Sequence, residues 1–302
     1  MPEEKTPQIL SGFIIKIIAL IFMTLDHVGL FLMNKYYQVD PNIYQMAYVF
    51  RCLGRIALPL FLLLTAEGIR HSRNPWGYFF RLLGMNVGIS LVLTILIYAV
   101  PQAGIRSSDI AGNAFADLSL LALTILLFRQ KGWLKALAAL PIAFAIFVYA
   151  IQITEHVQDV TVVFLPDYLR PSYSLLGLLI GLGFYFSYPI AERLSKTALQ
   201  NSGISIEAYK ESKGYRKAVN LVGITLFFLV LAAFWGISYI GYNYSYRPLD
   251  TYAMQIQSYC LLGIIPLYFY SGKRGYDSKA FRYATYLYYP VHLAILFLIF
   301  SL

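Results

Sequence analysis

Nine apolar stretches, each close to the length that crosses a bilayer, constrain this chain more than any other feature. They cover residues 12–33, 47–69, 76–100, 114–128, 133–152, 173–194, 218–239, 252–270 and 283–302. A hydrocarbon core of ~30 Å needs ~20 apolar residues in helical conformation. The fourth stretch is short for that task. The composition agrees: 59% of the 302 residues are hydrophobic and 13% charged, with mean hydropathy +0.61. A soluble domain is about a quarter charged, so an ordinary soluble enzyme is excluded. So are a disordered chain, a collagen and a disulfide scaffold. The fold expected is all-α, a polytopic membrane bundle of about nine transmembrane helices, forming one domain over residues 1–302.

The basic residues fix an orientation. With nine spans, four of the 24 Lys and Arg fall on one side, Lys35, Arg106, Arg170 and Arg247, and another four, Lys16, Arg51, Arg55 and Arg81, lie within spans. The remaining sixteen fall on the opposite side, among them Arg70, Arg73, Lys210, Lys273, Arg274 and Arg282. Cytoplasmic loops carry the Lys and Arg excess, which places the N-terminus in the cytoplasm and the C-terminus outside. Basic loops also account for the net charge of +9 without nucleic acid. The acidic flank Glu3-Glu4 and the length of the first stretch argue against a cleaved signal peptide. Tyrosines gather at predicted helix ends, where they favour the membrane interface. The sixth-to-seventh connection, with Glu207, Lys210 and Glu211, reads as a short solvated helix, and 160–165 reads as a segment able to dip into the bilayer.

Ionisable groups in the bilayer cost at least ~2.5–3.5 kcal/mol, so each one in a span is a candidate for function. The first two spans hold the densest group. His27 follows Lys16 by eleven residues, about 20° from a whole number of turns, so both share a helix face ~16 Å apart along the axis. Arg51 and Arg55 form an i, i+4 pair on the second helix, and Gly54 between them permits close helix approach. Asp26 points about 100° away from His27, so its expected partner is Arg51 or Arg55 across the helix gap. In the last span Thr285, Tyr289 and His292 form one stripe. Arg81 and Glu67, near helix ends, read as snorkelling groups. His71 and His156 read as surface residues, and Cys52 and Cys260 as small packing residues. No Walker motif, HExxH or CxxC pair is present, so neither ATP-driven transport nor a metal site has a motif to support it.

The residues Ile14-Ile15-Lys16-Ile17-Ile18-Ala19-Leu20 and Leu25-Asp26-His27-Val28-Gly29 resemble the opening of the TraX family of membrane acetyltransferases. So do Phe50-Arg51-Cys52-Leu53-Gly54-Arg55-Ile56-Ala57-Leu58-Pro59-Leu60-Phe61, then Glu67-Gly68 and His71-Ser72-Arg73-Asn74. Tyr288-Tyr289-Pro290-Val291-His292-Leu293 is similar to the family's closing helix. The resemblance implies kinship with a wider acyltransferase-3-like group, whose pattern of Arg or Lys, ten residues, then His is met by Lys16 and His27. The second-helix arginine motif of that group is approximated by Arg51-x-x-x-Arg55.

What the resemblance implies is an acyl-CoA-dependent transmembrane acetyltransferase of the bacterial cytoplasmic membrane, embedded in the lipid bilayer. Its donor would be cytoplasmic acetyl-CoA. Its acceptor would be an extracytoplasmic hydroxyl or amine, on a glycan or a protein such as a pilin N-terminus. In this reading His27 is general base, with an acetylated His27 as the variant, and Arg51 or Arg55 stabilises the oxyanion. Asp26 holds an arginine in place. Lys16, Arg70, Arg73 and Arg81 bind the donor's nucleotide and pyrophosphate, and Tyr289 and His292 line the acceptor side. A homo-oligomer is compatible with all of this. A proton-coupled secondary transporter or exporter is the rival, because a relay would use the same charges; the internal repeat such a protein should show is not evident.

Overall fold

The computed structural model describes residues 8–98, 113–158, 162, 164–243 and 256–301. Among these, the chain is helical and carries no strand beyond one isolated bridge, Leu10 with Tyr270. Arg106, Arg247 and half of 160–165 (160, 161 and 163) lie outside the described residues, as does the side chain of His156. Helix α1 covers Gly12–Tyr36, α2 Pro41–Gly54, α3 Ala57–His71, α4 Pro75–Tyr98 and α5 Ala114–Phe128. After a 3-10 segment Gly132–Ala138 come α6 Ala139–Gln158, α7 Ser174–Ser202, α8 Ile206–Lys210 and α9 Lys213–Asn243. A second long 3-10 segment, Ile256–Gly263, leads into α10 Ile264–Tyr268, and α11 covers Lys279–Ser301.

Seven helical spans among the described residues are long and apolar enough to cross a membrane. Ala114–Phe128 and Ile256–Tyr268 are shorter apolar helices. Every apolar stretch of the sequence falls on one of these nine, and the architecture is a polytopic membrane helix bundle. The connection after α7 forms the expected short helix, α8, with no buried residue.

Local chemistry sets the helix starts. Asp40 accepts from the backbone N–H of Asn42 (2.9 Å) and Ile43 (3.2 Å), and Pro41 takes the first helical position, where its missing N–H costs nothing. Asn74 and Asn113 serve α4 and α5 in the same way, accepting from Gly77 (2.8 Å) and Phe115 (3.0 Å). Residues 47–69 read as one apolar stretch, but they form two helices with a break at Arg55–Ile56. The cause is Pro59, which has no N–H to offer the Arg55 carbonyl and whose ring crowds it. The last turn of α2 tightens instead, with Arg55 N–H donating to Cys52 O (3.3 Å) and Ile56 N–H to Leu53 O (3.1 Å).

The chain groups into two compact units. One holds residues up to Leu64, Phe186–Leu229 and Gln255–Leu302; the other holds Thr65–Tyr185 and Val230–Met254. Within the first, an extended strap fastens the start of α1. Leu10 N–H donates to Phe269 O (2.9 Å) and Ser271 N–H to Leu10 O (2.8 Å). Gly12 and Phe13 N–H donate to the carbonyls of Lys273 (2.7 Å) and Arg274 (2.9 Å). Within the second unit, Asp117 is buried and accepts from Ser172 N–H (2.7 Å) and Tyr173 N–H (3.0 Å), capping the entry to α7. Its carboxylate is thereby committed to structure. Arg170 makes a forked pair with Glu155 at 2.6 and 2.9 Å.

Candidate active site

Asp26, on α1, accepts from both arginines of α2. Arg51 Nη1 donates to Oδ2 at 2.7 Å, and Arg55 Nη2 makes a short contact with Oδ1. All three side chains are buried. The i, i+4 spacing aims both guanidiniums at one level of α1. Gly54 lets the helices come that close, because a Cβ there would lie 2.5 Å from the Asp26 Cα.

The two arginines are not equivalent. Arg55 is 3% exposed, and its remaining donors reach Arg51 O (Nε, 3.3 Å) and Gln257 Oε1 (Nη1, 3.3 Å). Arg51 makes a single hydrogen bond among the described residues, the one to Asp26, and its Nε and Nη2 are left over. A guanidinium has five donors in a rigid fork. Arg51 therefore keeps donors for an incoming oxygen, while Arg55 is bound into the frame. Gln257 is a residue that sequence reasoning missed. Fully buried, it has an Nε2 with no hydrogen-bond partner, and its sequence signal was one of two amides, Gln255 and Gln257, inside an apolar stretch.

His27 is the next residue of α1, and both guanidiniums bear on it electrostatically. Its Nδ1 lies 2.7 Å from Nε2 of His292 on α11, with the rings stacked at 4.9 Å. His292 is 6% exposed, and its Nδ1 lies 2.7 Å from the Tyr288 carbonyl. A carbonyl can only accept, so His292 Nδ1 carries a proton. With both rings neutral, His292 Nε2 is then the acceptor and His27 Nδ1 the donor. That fixes the tautomer of His27 and leaves the lone pair on its Nε2. No protein group among the described residues takes a hydrogen bond at that atom. Tyr289 packs edge-on against both imidazoles, 5.8 and 5.7 Å between centroids. Tyr288 hydroxyl meets Thr24 Oγ1 at 2.7 Å, one turn before His27.

Lys16 lies on α1 below this cluster, its Nζ 5.4 Å from the centre of the Phe281 ring. Arg70, Arg73 and Arg81, read with Lys16 as a donor-binding set, belong to the other compact unit. There Arg70 donates to Tyr185 O and stacks on the Tyr185 ring at 4.6 Å, so it is already engaged. Arg73 and Arg81 are exposed, and Arg81 lies 5.8 Å from the Tyr78 ring. Glu67, read as snorkelling, is instead buried and sits 3.2 Å from His71 Nε2. Among the described residues no three His, Cys, Asp or Glu side chains converge as metal ligands.

No solved structure matches the chain at a significant level. The "Probable fimbrial assembly protein FimC, serogroup H1" of Dichelobacter nodosus is 25% identical over 291 residues, covering 95% of this chain and 94% of that protein. A family profile described as "TraX protein" matches residues 11–300. That match spans α1 through α11, including every residue of the His27–His292 and Asp26–Arg51–Arg55 groups, and the chain belongs to the TraX family.

Proposed function

We propose that this membrane protein is an acyltransferase of the bacterial cytoplasmic membrane. It moves an acetyl group from cytoplasmic acetyl-CoA to a hydroxyl or amine on the outer side. The observation that carries this reading is the imidazole pair, which presents His27 Nε2 as a base beside an arginine with donors to spare. The acceptor's O–H or N–H gives its proton to His27 Nε2 as its oxygen or nitrogen attacks the thioester carbonyl carbon. Negative charge gathers on the carbonyl oxygen, where Arg51 Nε and Nη2 supply hydrogen bonds. The C–S bond then breaks, and the departing thiolate takes the proton from the His27 imidazolium. Imidazole, acetylated acceptor and thiol remain. Asp26 and Arg55 hold Arg51 in place throughout, and the Asp26 charge offsets one of the two guanidiniums.

The fimbrial assembly name of the relative supports a protein acceptor, such as the amine of a surface-fibre subunit, over a glycan. The test uses purified protein in lipid nanodiscs with radiolabelled acetyl-CoA. Wild type should release free thiol and label an added amine or hydroxyl acceptor. His27→Ala should lose at least ~10²-fold of that rate while its thermal unfolding is unchanged. Turnover near the wild-type rate in His27→Ala refutes the reading. Proton-coupled flux by the reconstituted protein, with no acetyl transfer, would favour a transporter.

A further inference from the structure

We infer that Lys16, Arg274, Arg282 and the ring of Tyr276 form a binding site for a phosphorylated purine nucleotide. The inference rests on the acyl-CoA reading for the identity of the natural ligand, but the site itself is argued from its own residues.

The connection between α10 and α11 is held against the start of α1 by the strap carbonyls of Lys273 and Arg274. Gly275 takes φ +72, a left-handed turn that an L side chain rarely adopts, and packs on Ser11 where a Cβ would lie 2.5 Å from Oγ. This turn brings Asp277 between two arginines, Arg274 Nη1 at 2.9 Å and Arg282 Nε at 3.2 Å. One carboxylate thereby orients two guanidiniums, while Lys16 lies within electrostatic reach of all three groups. Three cations against one anion leave a surplus of positive charge. The Lys16 ammonium is half-buried in a predominantly apolar helix, and among the described residues it has no hydrogen-bond or ion-pair partner. A desolvated ammonium without an acceptor, next to a pair of pre-oriented guanidiniums, is matched by a phosphate.

The second component is aromatic. Phe13, Tyr276 and Phe281 pack together, with centroids 4.9 to 6.0 Å apart. Phe13 and Phe281 are half-buried, but Tyr276 is 63% exposed. A tyrosine held edge-on by two phenylalanines, beside the arginines, is a platform on which a flat base can stack. Phosphate alone would need the cations and not the ring. Lys16 and His27 share a face of α1 about 16 Å apart along the axis. That offset separates a nucleotide end from a reacting end, as a donor with a long flexible arm requires.

The probe is adenosine 3′,5′-bisphosphate, titrated onto the full chain in phosphatidylcholine nanodiscs. Arg282→Ala and Tyr276→Ala should each weaken binding at least tenfold; neither side chain is buried, so the fold should persist. His27→Ala should bind the probe as wild type does, because the probe lacks the acyl arm. Loss of acetyl transfer with retained, variant-sensitive probe binding would sink the acyl-CoA reading and leave this site standing. Probe affinity indifferent to both substitutions, in a protein that still transfers acetyl, would sink the site alone. Inorganic pyrophosphate binding that ignores Tyr276→Ala, or probe binding abolished by phosphatidylglycerol in the nanodisc, would assign the cations to a bare phosphate or a lipid headgroup and overturn the nucleotide.

Discussion

Asp26 has two carboxylate oxygens and gives one to each arginine, so removing Arg51 and removing Arg55 should have different consequences. Arg55→Gln orphans Asp26 Oδ1, the Arg51 carbonyl and Gln257 Oε1 together. Breaking a buried pair costs about 3–5 kcal/mol, so this variant should unfold well below wild type in detergent. Arg51→Gln leaves Asp26 still paired with Arg55. It should keep most of the stability and lose kcat by ~10²–10³, as for a lost oxyanion donor. Thermal unfolding and steady-state rates on both variants check the assignment, and equal stability losses would contradict it. At His292 the imidazole acts through His27, setting its tautomer. His292→Phe should therefore lower kcat by roughly 10²-fold or more. His292→Gln, whose Oε1 reaches the place of the imidazole Nε2 and can accept from His27 Nδ1–H, should recover part of the loss. Nitrogen NMR of the His27 ring should show its proton leaving Nδ1 only in the Phe variant. Part of this site was legible in the sequence. Asp26, Arg51 and Arg55 sit on a helical hairpin, where spacing and the cost of a buried charge force the pairing. The His27–His292 contact joins residues 265 apart. It depends on which helices are neighbours, and that is decided by packing, which no local pattern encodes.

The site is held by the way α1, α2 and the 3-10 segment Ile256–Gly263 meet. Hydrophobic patterning locates these elements because each must present apolar surface to lipid or to another helix. It missed the division of 47–69, although the signal was present in Pro59, four residues after Arg55. The break ends α2 at the depth of Asp26 and turns Arg55 toward Gln257, so the irregularity belongs to the site rather than to a loop. Gly54 is the corresponding demand on α1 packing. Gly54→Ala would drive a methyl into the Asp26 backbone and side chain, with no flexible group to yield. The helices must part, at a cost of about 1–3 kcal/mol for overpacking, and the Asp26–Arg51 bond lengthens with them. Gly84→Ala in α4 is the control. Nothing lies within 4 Å of its added methyl, and the gain in helix preference is about 0.5–1 kcal/mol. Melting temperatures should therefore move in opposite directions, with acetyl transfer falling only in Gly54→Ala. A stable, active Gly54→Ala would mean that close approach is not what positions Arg51.

The expected direction of the chain through the membrane rests on two features. Helices α1 and α11 lie alongside one another with contacts that advance together: Lys16 meets Phe281, Thr24 meets Tyr288, His27 meets His292 and Phe31 meets Phe300. They are parallel, so both enter from the same side, and the chain between them must return an odd number of times. With both helices crossing the bilayer, the total number of crossings is expected to be odd and the two ends to lie on opposite faces. Seven long helices alone satisfy this, and so do nine with both short ones; eight does not. Ala114–Phe128 is ~22 Å long by helical rise, less than the hydrocarbon core, but it is buried along most of its length, so protein rather than lipid covers most of it. The excess of Lys and Arg on alternate loops then selects which face is which. A reporter enzyme that works only outside the membrane should be active when fused after Leu302 and silent when fused before Met1. A cysteine at Ser205, on the α7–α8 connection, should react with a membrane-impermeant maleimide only after the cells are opened. Reporter activity at both ends would require an even count, and the parallel packing that joins His27 to His292 could not then exist in the membrane.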